Sequence, residues 1–160
     1  MRNLVVILAL TCFVLPASIL HAQNEGDAKF AVCDSSNVYR IDDPMLAEKG
    51  FADSPVVESI SQFPGKVEAL QKFFDEKLKL SEEAKNLFVR VHIKFTVSCK
   101  GKVGVFRILS PAVPELAQEI LKVAEQMPDW EAGQAKGKAV DSHTKLAFTV
   151  SQGRVKVSYK

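Results

Sequence analysis

Between Val89 and Val97 apolar and polar residues alternate without exception: Val89, Val91, Ile93, Phe95 and Val97 are interleaved with Arg90, His92, Lys94 and Thr96, and Ser98 follows. A period of two predicts a strand with one buried face. Cys99-Lys100-Gly101-Lys102 supplies a turn, and Val103 to Leu109 returns as a second strand. Val103, Phe106 and Ile108 cannot share a face under strict alternation, so a bulge is expected near Gly104-Val105. A third strand runs from Val140 to Val150, with Ser142, Thr144, Leu146, Phe148 and Val150 on one side. After Ser151-Gln152-Gly153 a last strand, Arg154 to Lys160, alternates through Val155, Val157 and Tyr159.

Two stretches follow the helical period instead. The first opens at Gln62-Phe63-Pro64-Gly65, where Pro64 suits a first turn and Phe63 can staple back. Ala69, Leu70, Phe73, Phe74 and Leu78 then form its apolar face. Ser81-Glu82-Glu83 reads as a cap and acidic first turn of a short helical piece. Pro111 and Pro114 end the hairpin and start the second long helix, which carries Leu116, Ala117, Ile120, Val123, Ala124 and Met127 on one stripe and stops at Pro128. Residues 133–138 read as a polar loop. The order helix, strand, strand, helix, strand, strand predicts an α+β fold: an antiparallel three- to four-stranded sheet with two helices packed on one face. Ahead of it, residues 23–56 form a polar, turn-rich, partly ordered segment. In it Phe30 to Cys33 and Val38 to Ile41 are expected to pair as a small hairpin.

At the start, Arg2, the apolar run Leu4 to Leu20 and the small Ala22 give the pattern of a cleavable signal peptide over residues 1–22. Export to the periplasm is the expectation; an uncleaved anchor is the competing reading, because this stretch is about long enough to cross a bilayer as a helix. Removing 22 residues from 160 leaves one domain's worth of chain. Its charges nearly balance, which with the exported location excludes nucleic acid as a partner. Two cysteines remain, Cys33 and Cys99, and an oxidising compartment permits either a disulfide between them or two free thiols.

Candidate chemistry is sparse. His92 and His143 lie on the outward phase of their strands, with no third ligand spaced for zinc and no nucleophile motif, so no catalytic residue, metal or cofactor is assigned. Arg90, Lys94, Lys145 and Lys156, with Arg154, fall on the outer face of the sheet and predict a basic surface. Trp130 reads as core.

From Val57 to Val150 the chain resembles the TonB C-terminal domain, especially the versions common in Bacteroidetes. The resemblance rests on Gln62-Phe63-Pro64-Gly65, Ser81-Glu82-Glu83-Ala84, Ile93 to Val97, Gly101-Lys102-Val103, Met127-Pro128-Asp129-Trp130, Gly137-Lys138 and Leu146-Ala147-Phe148. Lys66 stands where a second glycine is usual, Glu131-Ala132 replaces a proline, and the family's Pro-rich stem is missing. The resemblance implies a TonB-like domain over residues 57–160 with an extra C-terminal strand. It further implies a periplasmic, non-enzymatic module that binds an extended protein or peptide segment by adding it to a sheet edge. The edge would be that of Val140, Ser142, Thr144, Leu146, Phe148 and Val150, and the partner an outer-membrane transporter. Strand-exchanged dimers are compatible with such a domain. The strand at Arg154 to Lys160 would occupy that same edge unless it moves aside. Two other readings stand beside this one: an envelope protein binding cell-wall material or a membrane surface through its basic sheet face, and a short membrane-anchored transducer.

Overall fold

A computed structural model describes residues 30–110 and 113–159. The proposed leader lies outside these residues. Among those described, no helix is long and apolar enough to cross a membrane.

The alternating run forms β2 (Val89–Val97), and Val103–Ile108 returns beside it as β3. The expected bulge is present: Thr96 faces Gly104 and Lys94 faces Arg107, so two residues of β3 oppose Phe95 alone. Val105 takes the strained position at φ 53°. Gly101 shapes the turn for two reasons. Its φ is 81°, and a Cβ there would meet the Trp130 carbonyl oxygen at 2.1 Å, because the Trp130 N–H donates to the Gly101 carbonyl.

The first long helix, α2 (Lys66–Lys77), starts later than the sequence predicts. Phe63 to Lys66 makes a turn closed by the Lys66 N–H to the Phe63 carbonyl, with Gly65 and Lys66 both at positive φ, so Pro64 precedes the helix instead of opening it. Ser81 caps the short α3 (Glu82–Lys85), its hydroxyl accepting from the Ala84 N–H. Pro114 opens α4 (Pro114–Ala124). Both long helices lie on one sheet face and share a core with Val91, Ile93, Phe95, Leu146, Phe148 and Val157.

The polar stretch after Trp130 is a hairpin, not a loop: β4 (Gly133–Ala135) and β5 (Lys138–Val140) pair across Lys136-Gly137. Both of those residues have positive φ, as the two-residue turn requires. The third predicted strand is β6 (Ser142–Ser151), and the last is β7 (Arg154–Tyr159), joined by an equivalent turn at Gln152-Gly153.

The N-terminal segment corrects the expected architecture. Tyr39–Arg40, here β1, pairs with Ser142 and His143 of β6 in parallel, not with residues 30–33. The main sheet is therefore mixed, in the order β1-β6-β2-β3 with β7 also on β6. The chain then turns into a short helix, α1 (Pro44–Leu46), continued by a wide π-type turn to Phe51. Residues 30–57 form a strap across the sheet face opposite α2 and α4. Ile41, Leu46 and Val57 make a second, smaller core there.

Candidate functional site

A sheet that captures an extended segment needs a strand whose outward N–H and C=O groups are unpaired. β6, the strand expected to offer that edge, does not have one. One side pairs with β2 along its length. On the other, β1 covers Ser142 and His143, and β7 covers Leu146 to Ser151. The side chains of Ser142, Thr144, Leu146, Phe148 and Val150 are all buried, and Val140 belongs to the β4-β5 hairpin.

β7 is held firmly for a terminal strand. Val157 is 2 % exposed against Phe148, which is worth about 1.5–3 kcal/mol by itself. The outer side of β7 is tied by the Gln71 amide of α2, whose Nε2 donates to the Val155 carbonyl and whose Oε1 accepts from the Val157 N–H, both at 2.8 Å. A glutamine side chain thus satisfies two outward main-chain groups of β7.

The remaining edge is β3. Among the described residues no strand pairs with its outer side. The Leu109 N–H donates to the His92 carbonyl, and because main-chain groups alternate along a strand, those of Ile108 turn away from β2. Arg107 is exposed beside it, while Phe30 closes over Gly104 at the opposite end.

The basic face is also rearranged. Arg107, Lys94 and Lys145 stand in one row across β3, β2 and β6, yet Lys94 is only 2 % exposed. The strap covers it, with its Nζ 4.5 Å from the centre of the Phe51 ring. Burial first, and the Arg107 charge second, lower the Lys94 pKa from 10.5 to about 8. The same Phe51 ring packs on His143 at 4.6 Å, whose Nδ1 is 3.0 Å from the Thr96 hydroxyl. Burial, then Lys94, pull His143 down from 6.5 to about 4, so it is neutral at ordinary pH.

Lys145 is matched by Asp43 at 2.5 Å. Burial raises the Asp43 pKa, but Lys145 and the N–H groups of Leu46 and Met45 outweigh it and the net shift is downward. One carboxylate thus caps α1 and neutralises the sheet cation beneath it. Beside this pair lies a hollow of about 220 Å³ whose lining includes Asp43, Arg90, His92, Lys145 and Tyr159. His92 Nδ1 is buried without a hydrogen-bond partner, and burial, then Lys145 and Arg90, lower the pKa of the ring against a smaller opposing effect of Asp43. The predicted basic surface is therefore corrected: Lys94 and Lys145 belong to the strap interface, and Arg90 and Lys156 stay exposed.

Cys33 and Cys99 are joined as a disulfide with Cα atoms 6.0 Å apart. Buried Asp141 braces it, one carboxylate oxygen accepting from the Asp34 N–H at 2.7 Å and the other from the Cys99 N–H at 2.8 Å. Among the described residues these two cysteines and Asp141 form the one group with metal-like spacing, and its sulfurs are bonded to each other. Trp130 is buried against Phe63, Phe95 and Tyr159.

Asp43, Phe51, Gln71 and Asp141 were assigned no site role from the sequence, where Asp43 reads as part of a turn and Asp141 as a neighbour of His143. Only Asp43 carries a local signal, since Asp-Pro is a helix-start pattern. Compared with known protein families, with curated proteins and with solved structures, the chain matches none.

Proposed function

We propose that this protein is a non-enzymatic, exported binding module that holds an extended segment of a protein partner by strand addition, and that the edge it uses is β3. The observation that carries this reading is that, among the described residues, no strand pairs with the outer side of β3, whereas β6 is covered by β1 and β7 and two outward main-chain groups of β7 are held by the Gln71 amide. Main-chain hydrogen bonds to such an edge supply affinity with little demand on the partner's sequence. The bulge at Gly104-Val105 limits the usable length to the stretch around Phe106 to Ile108, so a short partner segment is expected. The resemblance to TonB C-terminal domains favours a partner in the cell envelope, an outer-membrane transporter being the first to try. It also requires the docking edge to have moved from one side of the sheet to the other.

The test uses linear peptides selected from a displayed library on the disulfide-bonded protein. A selected peptide should protect the Ile108 main-chain amide from hydrogen exchange and should bind Ile108→Pro much more weakly. Proline is tolerated on an edge strand where the N–H faces solvent, and Ile108→Ala, which keeps the N–H and loses the same packing on the main core, is the control that should still bind. Selection of no peptide, or equal binding by the proline variant, refutes the β3 edge. Peptides that bind only after residues 153–160 are deleted would return the site to β6.

A further inference from the structure

The strap covers only half of the polar sheet face. It lies over Lys94, Thr96, Ser98 and Lys145 and leaves the far end of β2, β6 and β7 open. There Arg90, Thr149 and Lys156 form one row across the three strands, and Ser151 and Arg154 the row beyond it. Arg90, Arg154 and Lys156 are exposed. Among the described residues none of them has a carboxylate within ion-pair distance, and the Arg90 guanidinium bonds only the Thr149 hydroxyl. On neighbouring α3, Glu82 is already paired with Lys85, while exposed Glu83 and Asp75, which shares a hollow with Arg154, stay outside ion-pair distance of the three cations.

Phe88 stands at the same end, two residues before Arg90. It is 86 % exposed, while the other large apolar residues that reach the surface, Val56 and Val67, are 41 % and 37 % exposed. A phenylalanine left almost wholly in water, where every other described aromatic is buried or half-buried, calls for an explanation.

We infer that this corner, Phe88 with Arg90, Arg154 and Lys156, is a docking surface for an anionic lipid bilayer. Charge complementarity carries the choice: three cations without an ion-pair partner among the described residues lie at the same end of the sheet as one projecting ring. An aromatic side chain entering the interface with cations at head-group depth is the arrangement of surface-bound proteins. An acidic protein would have to supply a preformed apolar counter-surface for the ring, whereas a bilayer interface accepts it without one. The corner is distinct from the β3 edge, so the module can face a membrane and hold a protein segment at once.

The experiment is sedimentation of the disulfide-bonded protein with vesicles of phosphatidylglycerol and phosphatidylcholine, compared with phosphatidylcholine alone. Binding should require the anionic lipid and fade with added salt. Neutralising each cation should weaken partitioning about fivefold, so Arg90→Gln, Arg154→Gln and Lys156→Gln together should cost about 100-fold. Phe88→Trp should shift its emission to the blue on binding, against the constant signal of buried Trp130. Equal binding to neutral vesicles, or undiminished binding by the triple variant, overturns the inference. So does competition by inorganic phosphate, which would mean a phosphate site in the hollow lined by Asp43, Arg90 and His92, or by polyglutamate with no effect of Phe88→Ala, which would mean an acidic protein partner. All four positions are exposed, so the variants keep the fold.

Discussion

Lys94→Met should stabilise this protein at neutral pH, although it removes a charge from a strand that reads as solvated. The lysine is 2 % exposed beneath Phe51, and its pKa falls from 10.5 to about 8. Holding the charged form in the fold therefore costs about 3 kcal/mol near pH 7. The contact of Nζ with the Phe51 ring offsets about 1 kcal/mol of this. Methionine fills nearly the same volume without the charge, so a net gain of about 2 kcal/mol is expected. The pH dependence has a fixed sign. Between pH 8 and 10.5 the unfolded chain keeps a proton on Lys94 that the folded chain has released, so raising the pH favours the fold. The penalty is complete below that window and disappears above it. Wild type should gain about 2 kcal/mol relative to Lys94→Met between about pH 7 and about pH 9.5. Urea unfolding followed by Trp130 fluorescence measures this, and groups that titrate in both proteins cancel in the difference. A Lys94→Met protein that is less stable than wild type at pH 7, or a difference that does not narrow as the pH rises, refutes the buried, unpaired lysine.

Acid should loosen the same interface: His143 stays neutral in the fold down to about 4 whereas the unfolded chain is protonated near 6.5, so stability falls between these values, and His143→Gln should flatten that limb in unfolding curves stepped through the range. Opening the Cys33–Cys99 bridge, which spans 66 residues, should cost about 4 kcal/mol in the chain-entropy model, measured as the drop in urea stability on reduction and matched by Cys33→Ser with Cys99→Ser. Lys66 is exposed at φ 63°, so Lys66→Gly should raise stability by about 0.5–1 kcal/mol, an outcome that a lost side-chain contact would reverse. Gly101→Ala should cost about 2 kcal/mol or more, because the new methyl meets the Trp130 carbonyl, and calorimetry should show it as a lowered Tm.

What the sequence revealed and what it hid divide along a physical line. The alternation of β2 predicts its strand, its bounds and its buried face, because a period of two is a local property of the chain. The bulge was legible for the same reason: Val103, Phe106 and Ile108 break the phase within six residues. But a polar phase says only that a face is not part of the main core. It does not say whether water or protein lies over it. Lys94 and Thr96 look like solvated positions and are buried, because Asp43 and Phe51, roughly 40 to 100 residues from the groups they meet, bring a strap across them.

Whether the edge of β6 is open was left undecided by the sequence through the same limit. Its alternation is correct, and five of the six residues expected there do lie on β6, but whether a strand ends a sheet depends on what else comes to pair with it. The tail supplied a visible competitor, since Val155, Val157 and Tyr159 alternate after a Gln152-Gly153 turn. What the sequence did not show is the Gln71 amide that ties the outer side of that tail. A helix position that reads as a water-facing polar residue there satisfies two outward main-chain groups of β7. Capture at β6 would then mean breaking both Gln71 hydrogen bonds, unpairing β7 and exposing Val157 before any partner contact forms, whereas capture at β3 begins with groups already facing outward. That difference in starting cost, more than any side chain at the edge, is what favours β3 over β6 in the proposed strand addition.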